Sequence, residues 1–530
     1  MSKSNTEIDV LQVSPKQTYD AVLEPEEQVE DEDEDMVWLR EQQILNGKLS
    51  WYKRPSVLTI GFVLFVYIFS ASISAAVKQI IIYKMACNSM RDENGICDPI
   101  TTQVLFSNYN MYSLVGTTIV SLFASTKVGQ LSDIYGRQPF IAGIIITTLL
   151  TKLGEYLIST HYDTLKLKSL LAVAFISGIL GGMTSAGALL SSYISDVVDP
   201  SNRTYSLALG SASLYIGQSL GPIVGNWLQS ILTKTDSLAQ VSSVVLPSEL
   251  VLLQVEIILQ ILLCIYAVFY LPESRSEKAK QKSKLSSINN DSVSARNSNI
   301  LVHSIHSVIK LFSPLLILTY PTSVVGSNHK PHVKTYRSVV ILLIVSSCIC
   351  TTVFVAFGPI LLQYGVYKFN WGSSDIGYVM TIISATRTVV LMLVIPFFQT
   401  TILQKLFGYK PLTNQLDMVD FCMIITGYVS DFLVFTALAF ASTNKQVMVI
   451  TGFFAMGATS LPACNSAVLK FYPASMTGLV FGAWSLLNNV LAVFAPMLLM
   501  SIYNWSLRHH IPSFVFLVYA GSFFVVIIMC

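Results

Sequence analysis

The chain has 530 residues, 52% of them hydrophobic and only 12% charged, with a formal net charge of +2. A soluble domain carries about 25% charged residues. The composition therefore excludes an ordinary soluble enzyme, and it gives no support to nucleic-acid binding through a basic surface.

Residues 1–50 are acidic and poor in aromatics, with nine carboxylates between Glu24 and Asp35. This predicts a disordered tail on the cytoplasmic side. Its acidic run reads as a solvated segment rather than a binder of a basic partner. Some fifty polar residues ahead of the first apolar run do not make a signal peptide, so that run is a retained first span.

Apolar runs of bilayer-crossing length then predict twelve spans. They are Val57 to Val77, Phe106 to Thr126, Pro139 to Ser159, Leu170 to Ser192, Tyr205 to Leu228 and Leu250 to Leu271, then Ser338 to Leu362, Ile376 to Phe398, Phe421 to Ser442, Val447 to Val468, Thr477 to Tyr503 and Pro512 to Cys530. Each must be a helix, because hydrocarbon offers no partner to exposed backbone groups. Lys and Arg gather on alternate loops, most densely at Arg275, Lys278, Lys280, Lys282 and Lys284, directly after span six. That bias places both termini in the cytoplasm.

The halves, 51–275 and 338–530, are joined by residues 276–337. The first part of this linker is Lys/Ser/Asn-rich and reads as flexible. From Ile300 to Leu318, the apolar residues Leu301, Ile305, Val308, Ile309 and Phe312 fall at helical spacing, which predicts an amphipathic helix at the membrane surface. Gln399 to Asp420 reads as a long cytoplasmic loop. Six of eight cysteines lie in or beside spans as small apolar residues. Cys87 and Cys97 share the first outer loop, an oxidising setting, where a disulfide and two free thiols both remain open.

The stretch Gly129-Gln130-Leu131-Ser132-Asp133-Ile134-Tyr135-Gly136-Arg137 resembles the loop between helices two and three of the major facilitator superfamily of secondary transporters (G-x-L-[S/A]-D-[R/K]-x-G-R). The resemblance implies that Asp133 pairs with basic groups and with the N-terminus of span eleven, around Met476 to Gly478. The two halves would thereby lock on the cytoplasmic side. It also implies close helix contact at Gly129 and a tight turn at Gly136. Ile134 and Gln138 stand where the family usually has basic residues, so the charge network is thinner.

Two further stretches are similar to family signatures: Ser192-Tyr193-Ile194-Ser195-Asp196-Val197-Val198-Asp199 with Arg203-Thr204, and Leu271-Pro272-Glu273-Ser274-Arg275. They imply that Asp196, Arg203, Glu273 and Arg275 join Arg137 in the same cytoplasmic gate. In span five, Gly217-Gln218-Ser219-Leu220-Gly221-Pro222-Ile223-Val224-Gly225 is similar to the G-x-x-x-G-P-x-x-G motif of proton-coupled antiporters. Gly217, Gly221 and Gly225 share one helix face and Pro222 kinks it. Close packing against a neighbour accounts for the same stripe. Trp51 to Leu58, together with Trp371, Gly372, Asp375, Gly377, Arg387 and Pro396, resembles the branch of proton-coupled folate transporters and tetracycline-resistance-like proteins. The C-terminal half holds only Gly408, Lys410 and Asp417 in an unfamiliar order, and no good copy of the first loop.

Charges inside a bilayer are costly and default to functional candidates. Six qualify: Lys78, Lys152, Glu155, Glu256, Arg387 and Asp431. Lys78 ends span one, either reaching for the outer surface or serving a cavity. Lys152 and Glu155 share a helix face and either neutralise each other or take part in transport, and Glu155, Glu256 and Asp431 are the candidates for carrying the proton. Glu256 lies near the outer part of span six, interfacial or coupling. Arg387 and Asp431 lie deepest, on neighbouring spans, and read as a buried pair with Arg387 as a contact for an anionic substrate or coupling carboxylate. Gln79, Asn108, Tyr112, Gln218, Gln363 and Asn488 are polar cavity candidates.

The expectation is an all-α membrane protein with twelve transmembrane helices in two six-helix bundles, both termini cytoplasmic. It moves a small organic solute by alternating access around a midplane site. The coupling ion is the proton, with no cofactor or metal, and symport and antiport are both open. It works as a monomer in the lipid bilayer, in the plasma membrane or a vacuolar one. The alternative is a non-transporting nutrient sensor signalling through its cytoplasmic segments. No P-loop or metal-ligand spacing points to an enzyme.

Overall fold

The computed structural model describes residues 41, 44–50, 54–92, 97–198, 203–233, 245–278, 280–281, 284–285, 313–320, 333–409, 416–472 and 477–530. The acidic run of the N-terminal tail and most of the Ile300 to Leu318 segment fall outside them. Among the described residues the fold is helical throughout, apart from an isolated bridge between Arg91 and Cys97.

The N-terminal half comprises α1 (Val57–Ser89), α2 (Pro99–Tyr135), α3 (Gln138–His161), α4 (Leu167–Val197), α5 (Arg203–Thr233) and α6 (Pro247–Phe269). The C-terminal half comprises α7 (Val333–Phe369), α8 (Ser373–Leu406), α9 (Met418–Phe440), α10 (Asn444–Val468), α11 (Thr477–Arg508) and α12 (Phe514–Met529). Local chemistry sets the ends. Ser56 caps α1 by accepting the Thr59 N–H at 3.1 Å. Asp98 caps α2 through the Thr101 N–H at 3.1 Å, with Pro99 in the first turn. Thr443 and Gln446 exchange the two bonds of a capping box at the start of α10. Gly181, at φ +82, breaks α4 into two segments.

Nine helices among the described residues are long and apolar enough to cross a membrane. Neither α2 nor α5 is among them, and α12 is a shorter apolar helix. Both α2 and α5 pack across the two halves, α2 on α11 and α5 on α8. One buried cluster draws on α7, α8, α9, α10, α11 and α12. A second draws on α1, α2, α3, α4 and α6.

Several boundaries differ from the sequence reading. The first helix runs on from Val77 to Ser89, and the second begins at Pro99, so both project past the apolar core to a loop closed by a Cys87–Cys97 disulfide. The expected loop after Gln399 is shorter, because α8 continues to Leu406. It does so through widened π turns at Val390–Val394 and Phe398–Leu406, flanking Pro396, whose missing N–H cannot complete the regular ladder. Of the expected surface helix, the described piece Ser313–Thr319 is a 3-10 turn docked on protein. Ile317 and Leu318 are buried there, the Tyr320 hydroxyl donates to the Phe471 carbonyl at 3.1 Å, and the Tyr472 hydroxyl donates to the Ile317 carbonyl at 2.9 Å.

Candidate functional site

Four charged side chains meet inside the N-terminal half. On α1, Ser70, Ser74 and Lys78 recur every fourth residue and so share one face. Lys152 and Glu155 are one turn apart on α3, and Glu256 and Gln260 one turn apart on α6. The three polar faces converge. Lys78 pairs with Glu155, and Glu256 accepts from the Ser74 hydroxyl. Lys152 bridges the two carboxylates, 2.9 Å from Glu256 Oε1 and 3.7 Å from Glu155 Oε2. Lys152 is thus the ion-pair partner of both Glu155 Oε2 and Glu256 Oε1. Gln260 Nε2 donates to the Ser70 hydroxyl at 2.7 Å, and the Tyr67 and Thr148 hydroxyls lie 3.0 Å apart, extending the polar layer. An apolar cleft nearby, lined by Ile60, Val63, Ile141 and Leu190, presents no charge.

This arrangement corrects three sequence readings. Lys78 does not end its helix or reach for the surface; it lies eleven residues before the end of a longer one. Glu256 is not interfacial but wholly enclosed, at 0% exposure. Lys152 and Glu155 do not simply neutralise each other, because each has a closer partner on another helix. The period-four stripe on α1 is the signal that would have found Ser74.

The deep residues of the C-terminal half behave differently. Asp431 on α9 is 0% exposed, and both its oxygens lack a hydrogen-bond partner. Its carboxyl occupies the room left by Gly457, where a Cβ would collide with it. Arg387 on α8 forms no ion pair with Asp431, since the two lie beyond the 4.0 Å of a salt bridge although still within electrostatic range. The expected buried pair is thus absent. Instead the guanidinium lies over two rings, 5.9 Å from the Tyr215 centroid and 5.7 Å from that of Phe354. Of the further polar candidates, Gln79 Oε1 accepts from Asn110 Nδ2 at 3.5 Å, and Asn488 Oδ1 has no partner.

Where α2, α4 and α6 end, the family-like stretches form one cluster. Gly136 takes φ +102, a backbone region open to glycine, and the Glu273 carboxylate sits against it. That carboxylate accepts the Arg137 N–H at 2.9 Å and the Gln138 N–H at 3.2 Å, capping the positive end of α3. The Arg137 side chain reaches Asp133 at 2.7 Å, Asp196 at 3.1 Å and the Ser132 hydroxyl at 2.7 Å. Arg275 lies 3.3 Å from Asp133, and the Tyr193 hydroxyl donates to the Pro272 carbonyl at 2.9 Å. The Asp133 contacts seen here lie within the N-terminal half; Met476 and the side chains of Thr477 and Arg203 are outside the described residues. Gly129 has nothing within 4 Å of where a Cβ would stand, so it makes no close helix contact.

The glycine stripe on α5 does. At Gly217, Gly221 and Gly225 an added Cβ would strike α1 at Phe65 O, at Ser72 and Phe69 O, and at Ile73 O. The stripe is a packing face, and Pro222 lies inside the same helix.

A second charge cluster escaped the sequence reading. At the corresponding end of the C-terminal half, Lys470 lies 2.8 Å from Asp417 and 2.6 Å from Asp420. Asp417 also caps α9 through the Asp420 N–H at 2.7 Å. The Lys470 ammonium is held above its ordinary pKa: desolvation opposes this, but the two carboxylates outweigh it. No motif marks these residues, since the three meet only when α9 and α10 pack.

At the opposite end, which carries the disulfide, hydrogen bonds cross between the halves. Gln103 Nε2 donates to the Gln363 carbonyl at 2.8 Å, and Asn504 Nδ2 donates to Asn108 Oδ1 at 2.9 Å. Asn226 Nδ2 donates to the Ser374 carbonyl at 3.1 Å, and Gln229 Nε2 to the Ser373 hydroxyl at 2.5 Å.

This fold and these clusters define a class. The model of the Major Facilitator Superfamily matches residues 60–413, and the chain belongs to that superfamily. It is an integral, multi-pass membrane protein of a family of transporters, not an enzyme. An uncharacterized membrane protein of Saccharomyces cerevisiae is 24% identical over 490 residues, 89% of this chain and 83% of that one. The class B tetracycline resistance protein of Escherichia coli is 21% identical, covering 73% of this chain and 79% of its own. The proton-coupled folate transporter of Bos taurus is 30% identical over 138 residues, 26% of this chain and 29% of that protein. Among solved structures, the xylose transporter XylE from E. coli has a TM-score of 0.56 at 10% identity, covering 89% of this chain and 96% of its own.

Proposed function

We propose that the chain carries a small organic solute across the membrane by alternating access, coupled to protons through the Lys78, Glu155, Lys152 and Glu256 network. The observation that carries this reading is the network itself. Two ammonium and two carboxylate groups from three helices are enclosed with little access to water. A group that carries a proton must change charge during the cycle, and a neighbour must then re-pair. Lys152, shared between two carboxylates, supplies that exchange: a proton on either glutamate shifts it toward the other.

In this reading all twelve helices span the bilayer in two six-helix bundles. The Arg137 end and both termini face the cytoplasm, as the Lys/Arg bias requires. The hydrogen bonds between halves at the disulfide end then close the outer side, and the two charge clusters belong to the inner gate. No cofactor is needed besides the proton, and a monomer suffices. The relatives that include a tetracycline resistance protein and a proton-coupled folate transporter favour transport over the sensor reading.

The test is proton movement in proteoliposomes on addition of organic anions, cations and sugars. Protons moving with a solute establish symport, and protons moving against it establish antiport. No coupled flux from the whole panel would sink the reading.

A further inference from the structure

Three lysines on helices of the N-terminal half hold carboxylates: Lys78 has Glu155, Lys152 has Glu256, and Lys84 on α1 has Glu249 at 2.7 Å. Arg387 has none. Its Nε is buried without an acceptor, and its contacts are two ring faces. A cation placed in a spanning helix without a counter-ion is costly, so it persists where a partner arrives from elsewhere.

The placement says what that partner meets. Tyr215 belongs to α5 of the N-terminal half and Phe354 to α7 of the C-terminal half, so Arg387 stands at the seam between halves. The guanidinium is a planar fork that matches a carboxylate with two parallel bonds. Asp431, lodged against Gly457, lies beyond ion-pair distance although within electrostatic range, so it leaves the guanidinium's hydrogen-bonding fork open. The helix carrying Arg387 widens into a π turn three residues later, a feature frequent at functional sites.

We infer that Arg387 is the anchor for the anionic group of the substrate, and that the substrate is an organic anion with a flat apolar body that rests against Tyr215 and Phe354. The inference rests on the transport reading above for the word substrate; the binding site itself does not. Because the ligand touches both halves, its grip changes as they rock.

The test uses full-length protein purified in mild detergent. Binding of 2-naphthoate, 4-aminobenzoate and citrate is measured by calorimetry, with 2-naphthamide as the neutral match of the first. At least one aromatic anion binds, the amide binds at least tenfold more weakly, and Arg387→Gln abolishes the difference. Arg387→Lys, which keeps the charge but loses the fork, weakens binding about tenfold; it keeps the test valid if the neutral variant fails to fold. Equal binding of acid and amide, anion binding unchanged in the variants, or binding of none of the three anions overturns the site. The two readings fail separately: proton-coupled flux of a sugar or cation without anion binding sinks only the anion site, and anion binding without any coupled flux sinks only proton-coupled transport.

Discussion

Lys152 on α3 lies 2.9 Å from Glu256 on α6 and 3.7 Å from Glu155 on its own helix. The contact across helices is the shorter one, so the lysine is held mainly by tertiary packing. Removing one member of a buried pair leaves an uncompensated charge, at a cost of about 3–5 kcal/mol.

Lys152→Met should therefore lower the melting temperature in detergent markedly, because Glu256 then retains only the Ser74 hydroxyl. The double variant Lys152→Met/Glu256→Gln should recover most of that loss while proton-coupled flux stays absent. Flux comparable to wild type in the double variant would remove the network from coupling.

At the other cluster, the effects should rank by burial. Arg137 is enclosed and holds Asp133, Asp196 and Ser132, so Arg137→Ala should cost about 3 kcal/mol. Asp133 has a side chain 44% exposed, so Asp133→Asn should cost under about 1 kcal/mol and still reduce transport at equal expression. A reversed order in thermal melts, or unchanged flux for Asp133→Asn, would contradict the inner-gate assignment.

The glycine stripe makes a steric prediction. Gly221→Val places atoms into the α1 backbone and should cost about 3 kcal/mol or more, seen as aggregation on size-exclusion chromatography. Gly129→Ala, with open space around it, should leave both elution and flux unchanged.

The disulfide closes a separation of 10 residues, worth about 2.5 kcal/mol in the chain-entropy account. Cys87→Ser/Cys97→Ser should lower the melting temperature modestly and retain transport, since the loop lies at the opposite end from the Arg137 and Lys470 clusters and beyond the Lys78 network on α1. Loss of flux at normal stability would give the loop a functional part.

What the sequence by itself determined is local. Apolar runs announce helices because a bilayer leaves the backbone no other way to satisfy its hydrogen bonds. The Asp133 to Arg137 stretch announces a tight turn because Gly136 alone tolerates the required φ. Glycines spaced four apart on α5 announce a packing face.

The tertiary structure decided the partners. Whether Lys78 meets water or Glu155 depends on how far α1 continues, and apolar content stops being a guide once a helix leaves the hydrocarbon. Arg387 and Asp431 lie near the middle of consecutive spans, yet packing turns one toward the seam between halves and the other into the space left by Gly457. Lys470 and Asp417 are far apart in the chain and meet only through packing. Depth is written along the chain, but azimuth is set by neighbours, and a charge acquires its role from the face it is turned toward.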